Sequence, residues 1–224
     1  MTMAAKTGHV AEAVRVLRGG GVIAMPTDTL YALAAPALHD AAVARVYAIK
    51  SREAGKPLPL FVNGIEAAER VGEFTPLARE LARRFWPGPL TLVVRRKPGF
   101  ESAALAGSET VALRQPGHPI AQAVLDAFGG PLTGTSANRS GGPDPVSAEE
   151  VVRQLGGDVD FVIDAGPCPV GVSSTVLDCT GAAPVVLREG AISEEQVRGA
   201  GRAGRGRVSA PDGRVSAGRA RPCA

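Results

Sequence analysis

Between residues 22 and 188, short apolar runs alternate with stretches of helical periodicity, and several of the runs follow one another with no helix between them. Such a chain layers helices on a sheet, and neighbouring strands that lack a crossover helix must include antiparallel pairs. The expected fold is therefore α/β, a single domain on a twisted mixed β-sheet. Strands are predicted at "VIAM" (22–25), "LPLFV" (58–62), "LTLVVRR" (90–96), "TVALR" (110–114), the start of "PLTGTSAN" (131–138), "DFVID" (160–164), "STVLD" (174–178) and "PVVLR" (184–188). Pro59 marks its strand as an edge or a bulge, because proline donates nothing to a ladder.

Helices are predicted over 11–18, 40–50, 76–86, 119–128 and 147–155. The first presents Val14 and Leu17 on one face and stops at Gly19-Gly20-Gly21. The second takes Asp40 as its N-cap and carries Val43, Val46, Tyr47 and Ile49 as an apolar stripe. Pro119 opens the fourth. Ser147 followed by Glu150 makes a capping box for the fifth.

A chain of 224 residues buries an adequate core without disulfides or metals. Its three cysteines, Cys168, Cys179 and Cys223, form no CxxC and have no ligand-like spacing to the three histidines, so no metal site is expected. The odd cysteine count and the lack of an apolar leader point to a reducing cytoplasm. No apolar stretch nears the ~20 residues that span a bilayer.

Charge is uneven. From residue 199 onward there are six arginines (202, 205, 207, 214, 219, 221) against Asp212, so the formal +3 of the chain leaves residues 1–198 at −2. A broad basic nucleic-acid surface on the body is not supported. The Gly/Arg-rich segment 199–224 has almost no large apolar residues to offset the entropy of ordering, and it reads as a disordered tail on a domain spanning 8–198.

Polar clusters fall where predicted elements end. "PTDT" (26–29) follows the first strand, and ligands of open α/β sheets bind beyond the carboxyl ends of strands. A turn that hydrogen-bonds its own backbone explains the same residues. Lys50, Arg52 and Lys56 bracket a flexible segment after the second helix, a set suited to polyphosphate through charge-assisted bonds, or to plain solvation. Thr133, Thr135, Ser136, Asn138 and Ser140, with three glycines, can form an anion-binding nest or an ordinary loop. Arg114 and Arg188 end strands, and Ser173, Ser174 and Thr175 begin one. GxxxxGK[ST], GxSxG and HExxH are absent, which argues against a Walker loop, a serine hydrolase of that type and a zinc protease. Five cations and many hydroxyls with hardly a general base make an inventory for holding a nucleoside triphosphate and a small carboxylate, as nucleotidyl transfer requires.

"GGVIAMPTDTLYALA", Lys50-Ser51-Arg52, "KPL", "WPGPLTLVV", "VALRQPGHP", "TSANRSG", "GVSSTVLD" and "VLREGAI" occur in the order seen in the YrdC-like family, over about residues 8–198. The chain resembles its short, single-domain members. That resemblance implies a concave, positively lined cleft and synthesis of threonylcarbamoyl-AMP, with pyrophosphate released, from L-threonine, bicarbonate and ATP. Mg²⁺ accompanies the nucleotide, and no dedicated protein metal site is implied. The product serves tRNA threonylcarbamoyladenosine modification, so downstream threonylcarbamoyl-transferase proteins are implied as partners. The resemblance places Lys50, Arg52, Lys56, Thr110, Gly134, Thr135, Ser136, Asn138 and Arg188 at ATP, with Lys50, Arg52 and Arg188 as the catalytic cations. It places Thr29, Arg114 and Ser174 at L-threonine, and Asp28 as the residue that orders the loop.

Two positions depart from the family. Ala32 stands where "YGLG" has glycine, and a positive φ there would strain it by about 1 kcal/mol. Phe61 stands where some members carry histidine. Two other functions compete: a carbamoyl-adenylate-forming domain of the hydrogenase-maturation kind, whose acylphosphatase and zinc-finger modules are missing here, and a non-catalytic RNA-binding protein using the arginines of the tail, for which a weak RNA contact is the most that the body's charge allows.

Overall fold

The computed structural model describes residues 3–53 and 55–203. The chain runs through α1 (Met3–Arg18), β1 (Ile23–Pro26), β2 (Tyr31–Ala34), α2 (Asp40–Lys50), β3 (Leu60–Phe61), α3 (Ile65–Val71), β4 (Gly72–Glu73), α4 (Pro76–Phe85) and β5 (Leu90–Arg96). It continues through β6 (Thr110–Arg114), α5 (Pro119–Phe128), β7 (Leu132–Thr133), β8 (Thr135–Ser136), α6 (Ala148–Leu155), β9 (Phe161–Val162), β10 (Thr175–Asp178), β11 (Val185–Arg188) and α7 (Glu194–Ala203).

The α/β class with mixed pairing is as expected, but the strands divide between two sheets. One has the order β8-β2-β1-β9; the other has β11-β10-β5-β6-β3-β7, with β4 also on β5. Parallel pairs (β1 with β9, β3 with β6, β5 with β10) and antiparallel pairs occur in both. The chain crosses between the sheets at Gly134, since β7 pairs with β3 and β8 pairs with β2. A Cβ at Gly134 would stand 2.5 Å from the Phe61 ring, so only glycine permits this crossing.

Two apolar clusters hold the layers together. Leu17 and Ala13 of α1 pack with Ala121, Val124 and Leu125 of α5 against Ile23 and Met25 of β1. The larger cluster joins Val43, Val46 and Ile49 of α2 to Leu60, Leu90, Leu92 and Leu113 of the second sheet.

Several local expectations need correction. His39 caps α2, its Nδ1 accepting from Ala42 N at 3.2 Å, and Asp40 is the first helical residue. β3 is an inner strand between β6 and β7, so Pro59 marks neither an edge nor a bulge; it precedes the ladder, where its missing N–H removes no rung. Ser147 caps α6 as expected, but the Glu150 carboxylate turns back to Val146 N at 2.7 Å, one residue before the cap. α7 spans Glu194–Ala203 across the boundary drawn at 198, and its Val197 is buried in the larger cluster. The rest of the tail, with its expected disorder and RNA contact, lies outside the described residues. No helix among the described residues is long and apolar enough to cross a membrane.

β2 was not expected as a strand. It is "YALA", buried on both faces between β1 and β8, and it pairs antiparallel with β1. "PTDT" is therefore the turn of a hairpin, closed by Pro26 opposite Tyr31. Ala32 sits in this regular strand and is not among the positive-φ residues, so the expected strain is absent. Ala32→Gly should consequently lower stability by about 0.5–1 kcal/mol, the cost of glycine in a regular element. Urea titration would show this, and a rise in the midpoint would contradict it.

Candidate active site

A cleft of about 420 Å³ opens where the two sheets meet. Three clusters of polar side chains line it.

The first cluster is built on the β1–β2 turn. Thr27 Oγ1 donates to Leu30 O at 2.7 Å and accepts from the backbone N–H of Thr29 and of Leu30, which locks the turn. The Asp28 carboxylate accepts from Arg114 Nη2 at 2.6 Å and from Gly117 N at 2.7 Å. Arg114, ending β6, also donates Nη1 to Thr29 Oγ1 and Nε to Gly88 O, each at 3.0 Å. Burial lowers the pKa of this guanidinium; the Asp28 charge opposes that shift, and Arg188 adds to it. The turn thus does order its own backbone, and it presents Thr29 and Arg114 to the cleft as well. Asp28 orders the loop through an ion pair; it does not line the cleft, and its Oδ2 has no donor among the described residues.

The second cluster joins the end of α2 to the loop after β8. Lys50 Nζ donates to Ser136 O (2.6 Å), Asn138 O (2.9 Å) and Asn138 Oδ1 (2.9 Å), and lies 3.4 Å from Ser136 Oγ. Its three protons are all engaged by the loop, so Lys50 holds the loop in place and offers no free donor to a phosphate in this geometry. The backbone N–H groups of Gly134, Ala137, Ser140 and Gly142 also donate to protein carbonyls, which leaves little of the expected nest. What faces the cleft is side chain: Ser136, whose hydroxyl donates to Asn138 Oδ1 at 2.7 Å, with Thr135 and Arg52. Arg52 Nη2 is bonded to Pro57 O at 3.0 Å, while its Nε has no acceptor among the described residues.

Burial above all, and then the nearby Arg52, push the Lys50 pKa down to about 8, with Asp144 opposing. Between that value and the ordinary 10.5 the unfolded chain holds the Lys50 proton that the folded chain releases, so Lys50 contributes stability that rises with pH over this window, while the buried thiols of Cys168 and Cys179, pushed up to about 11 and about 12, act in the opposite direction. Chemical denaturation followed across that range should show the native chain gaining stability relative to Lys50→Met as the pH rises. An equal slope in both would remove Lys50 as its source.

The third cluster lies between β5, β10 and β11. Ser174 Oγ is 2.8 Å from Thr91 Oγ1, and Arg188 Nη2 donates to Ser174 O at 2.9 Å. A bulge in the β10–β11 pairing beside Val176 re-aims Arg188 toward the cleft it lines.

Thus Thr29, Lys50, Arg52, Arg114, Gly134, Thr135, Ser136, Asn138, Ser174 and Arg188 come together around one cavity. Two expected residues do not. Lys56 is carried outward by the loop after α2 and pairs with Glu53 at 3.0 Å, its side chain 63% exposed. Thr110 begins β6 on the face of Ala112 and Arg114 but outside the lining, its hydroxyl 3.0 Å from that of Ser108. Sequence reasoning passed over Thr91, a lone hydroxyl in an apolar strand, and Asp144, the one acid among the lining residues, set between two prolines.

The family model for Sua5, YciO and YrdC proteins, described as "Telomere recombination", matches residues 15–190. A threonylcarbamoyl-AMP synthase of Bacillus subtilis is 42% identical over 191 residues, covering 84% of this chain and 55% of that protein. A crystal structure of Pyrococcus abyssi Sua5 complexed with L-threonine superposes with a TM-score of 0.82 at 38% identity, over 85% of this chain and 56% of that one. Full-length HypF, in a phosphate- and nucleotide-bound form, has a TM-score of 0.73 at 22% identity over 81% of this chain and 29% of its own, a likeness of fold alone. The chain spans about half the length of the first curated relatives it matches.

Proposed function

Since the chain belongs to the Sua5/YciO/YrdC family, we propose that it makes L-threonylcarbamoyl-AMP and pyrophosphate from L-threonine, bicarbonate and ATP, in the cytoplasm. The observation that carries this reading is the pairing, in one cleft, of a carboxylate-binding end (Thr29, Arg114) with two guanidinium groups that enter no ion pair among the described residues, Arg52 and Arg188.

Threonine binds with its carboxylate on the remaining N–H groups of Arg114 and is positioned by Thr29 and Ser174. Its amine and bicarbonate give a carbamate and water. A carbamate oxygen then attacks the α-phosphorus of ATP, and the bond to the pyrophosphate bridging oxygen breaks. Charge grows on the departing oxygens, and Arg52 and Arg188 stabilise it from two sides without a proton transfer. Lys50 acts through the loop it holds, fixing Ser136 and Asn138. Arg52 and Arg188, with Asp144 as the one carboxylate among the lining residues, suit phosphate oxygens and leave the ligands of Mg²⁺ to the nucleotide that brings it. The mixed anhydride formed is labile, so a transferase acting on tRNA must consume it.

Incubation with ATP, Mg²⁺, bicarbonate and L-threonine should release pyrophosphate in a threonine-dependent manner and yield a species with the mass of the mixed anhydride. Release that ignores threonine and yields a carbamoyl-adenylate would favour the hydrogenase-maturation chemistry. No release at all, with RNA bound, would favour a binding protein.

A further inference from the structure

Phe61 is 2% exposed, yet its ring forms part of the cleft wall. β3 holds it between two neighbours, with Arg114 opposite on one side and Leu132 on the other. Three ring carbons would lie 2.5–2.8 Å from any Cβ at Gly134, so the chain crosses between the sheets flat against the ring. The guanidinium carbon of Arg114 stands 5.8 Å from the ring centroid. Ala32 also lines the cleft, and it belongs with Phe61, Ile120 and Leu132 to one buried apolar cluster, so the ring is held in the core.

We infer that Phe61, braced by Gly134, decides which amino acid the cleft accepts. The inference rests on the threonine reading above. A substrate carboxylate seated on Arg114 brings the Cβ substituents of the amino acid against a rigid hydrocarbon wall. The methyl of threonine is desolvated there, serine has nothing to place against the ring, and a leucine side chain has no space. Discrimination of this kind comes from one methyl group and from steric exclusion, because no donor or acceptor faces the substrate from the ring.

The experiment is the kcat/KM for amino-acid-dependent pyrophosphate release with L-threonine, L-serine and L-leucine, in the native chain, Phe61→Leu and Phe61→Ala, with folding followed by thermal melts. The native chain should prefer threonine to serine by about tenfold or more and reject leucine. Phe61→Ala should narrow the threonine preference by about fivefold or more and admit leucine, and Phe61→Leu should fall between, with the KM for ATP little changed. Should Phe61→Ala fail to fold, Phe61→Leu decides. A native chain with no threonine preference, or a folded variant with the native selectivity, would overturn the inference and leave the synthase reading standing. A native chain that releases no pyrophosphate with any amino acid would overturn both.

Discussion

Arg188→Ala is expected to slow adenylate formation by about 10²-fold or more, the scale of removing one preorganised charge-stabilising donor. Arg188 ends the edge strand β11, pairs across to Val176 at a bulge, and anchors one Nη on Ser174 O at 2.9 Å. Gly190 fixes that approach, since a Cβ there would lie 2.3 Å from Ser173 O. No acid pairs with Arg188 among the described residues, and its charge is felt by Arg114 across the cleft, lowering the pKa of that buried guanidinium. Two like charges facing one cavity repel, and on the proposed reading the phosphates of a nucleotide would offset that repulsion. Arg188→Lys should restore activity only in part, because an ammonium cannot hold Ser174 O and a phosphate oxygen in one planar fork. The melting temperature should barely move, since the side chain is exposed and serves no core contact. Single-turnover pyrophosphate release decides the matter; native rates in Arg188→Ala would reduce this residue to a surface charge.

Arg114→Ala should be costly in two separable ways. The side chains of Arg114 and Asp28 are 5% and 13% exposed, and one Asp28 oxygen already has no donor among the described residues. Removing the arginine leaves a buried carboxylate with only Gly117 N, which should destabilise the chain by about 3–5 kcal/mol. For a domain of this size that corresponds to a melting temperature lower by about 6–20 °C. Threonine affinity should fall by about 2–4 kcal/mol as well. The double variant Asp28→Asn/Arg114→Met separates the effects: it should recover much of the stability, because no charge is stranded, and none of the threonine binding. Calorimetric titration alongside thermal melts reads both. Restored threonine affinity in the double variant would mean that Arg114 serves the fold alone.

The local readings that held were those with a strong short-range cause. Pro119 and Gly129 bound α5 where the sequence places them, and Ser147 caps α6. β2 escaped notice because "YALA" is buried on both faces and has neither alternation nor β-branched residues to mark it. α3 escaped because it is seven residues long and its N-cap, Gly64, supplies no side-chain bond. Among the site residues, those read from charge alone were the least secure. Lys50 and Lys56 have the same side chain and lie six residues apart in sequence, yet one is buried under a loop and the other pairs with Glu53 in solvent.

The α/β class, the helices with caps or breakers and the ordered motifs that carry the family could all be read from residue order. These depend on interactions within a few residues, or on a pattern read along the chain. The division of the strands into two sheets, the crossing between them at Gly134 and the Phe61 ring that admits only glycine there emerge from the three-dimensional arrangement alone. That arrangement also decided the partners of the buried charges, Asp28 for Arg114 and the Ser136–Asn138 loop for Lys50. A charge taken out of water must find compensation, and which group supplies it depends on what the fold brings within about 3 Å, here from residues 86 and 88 positions away in sequence. Spacing along the chain carries no record of that distance.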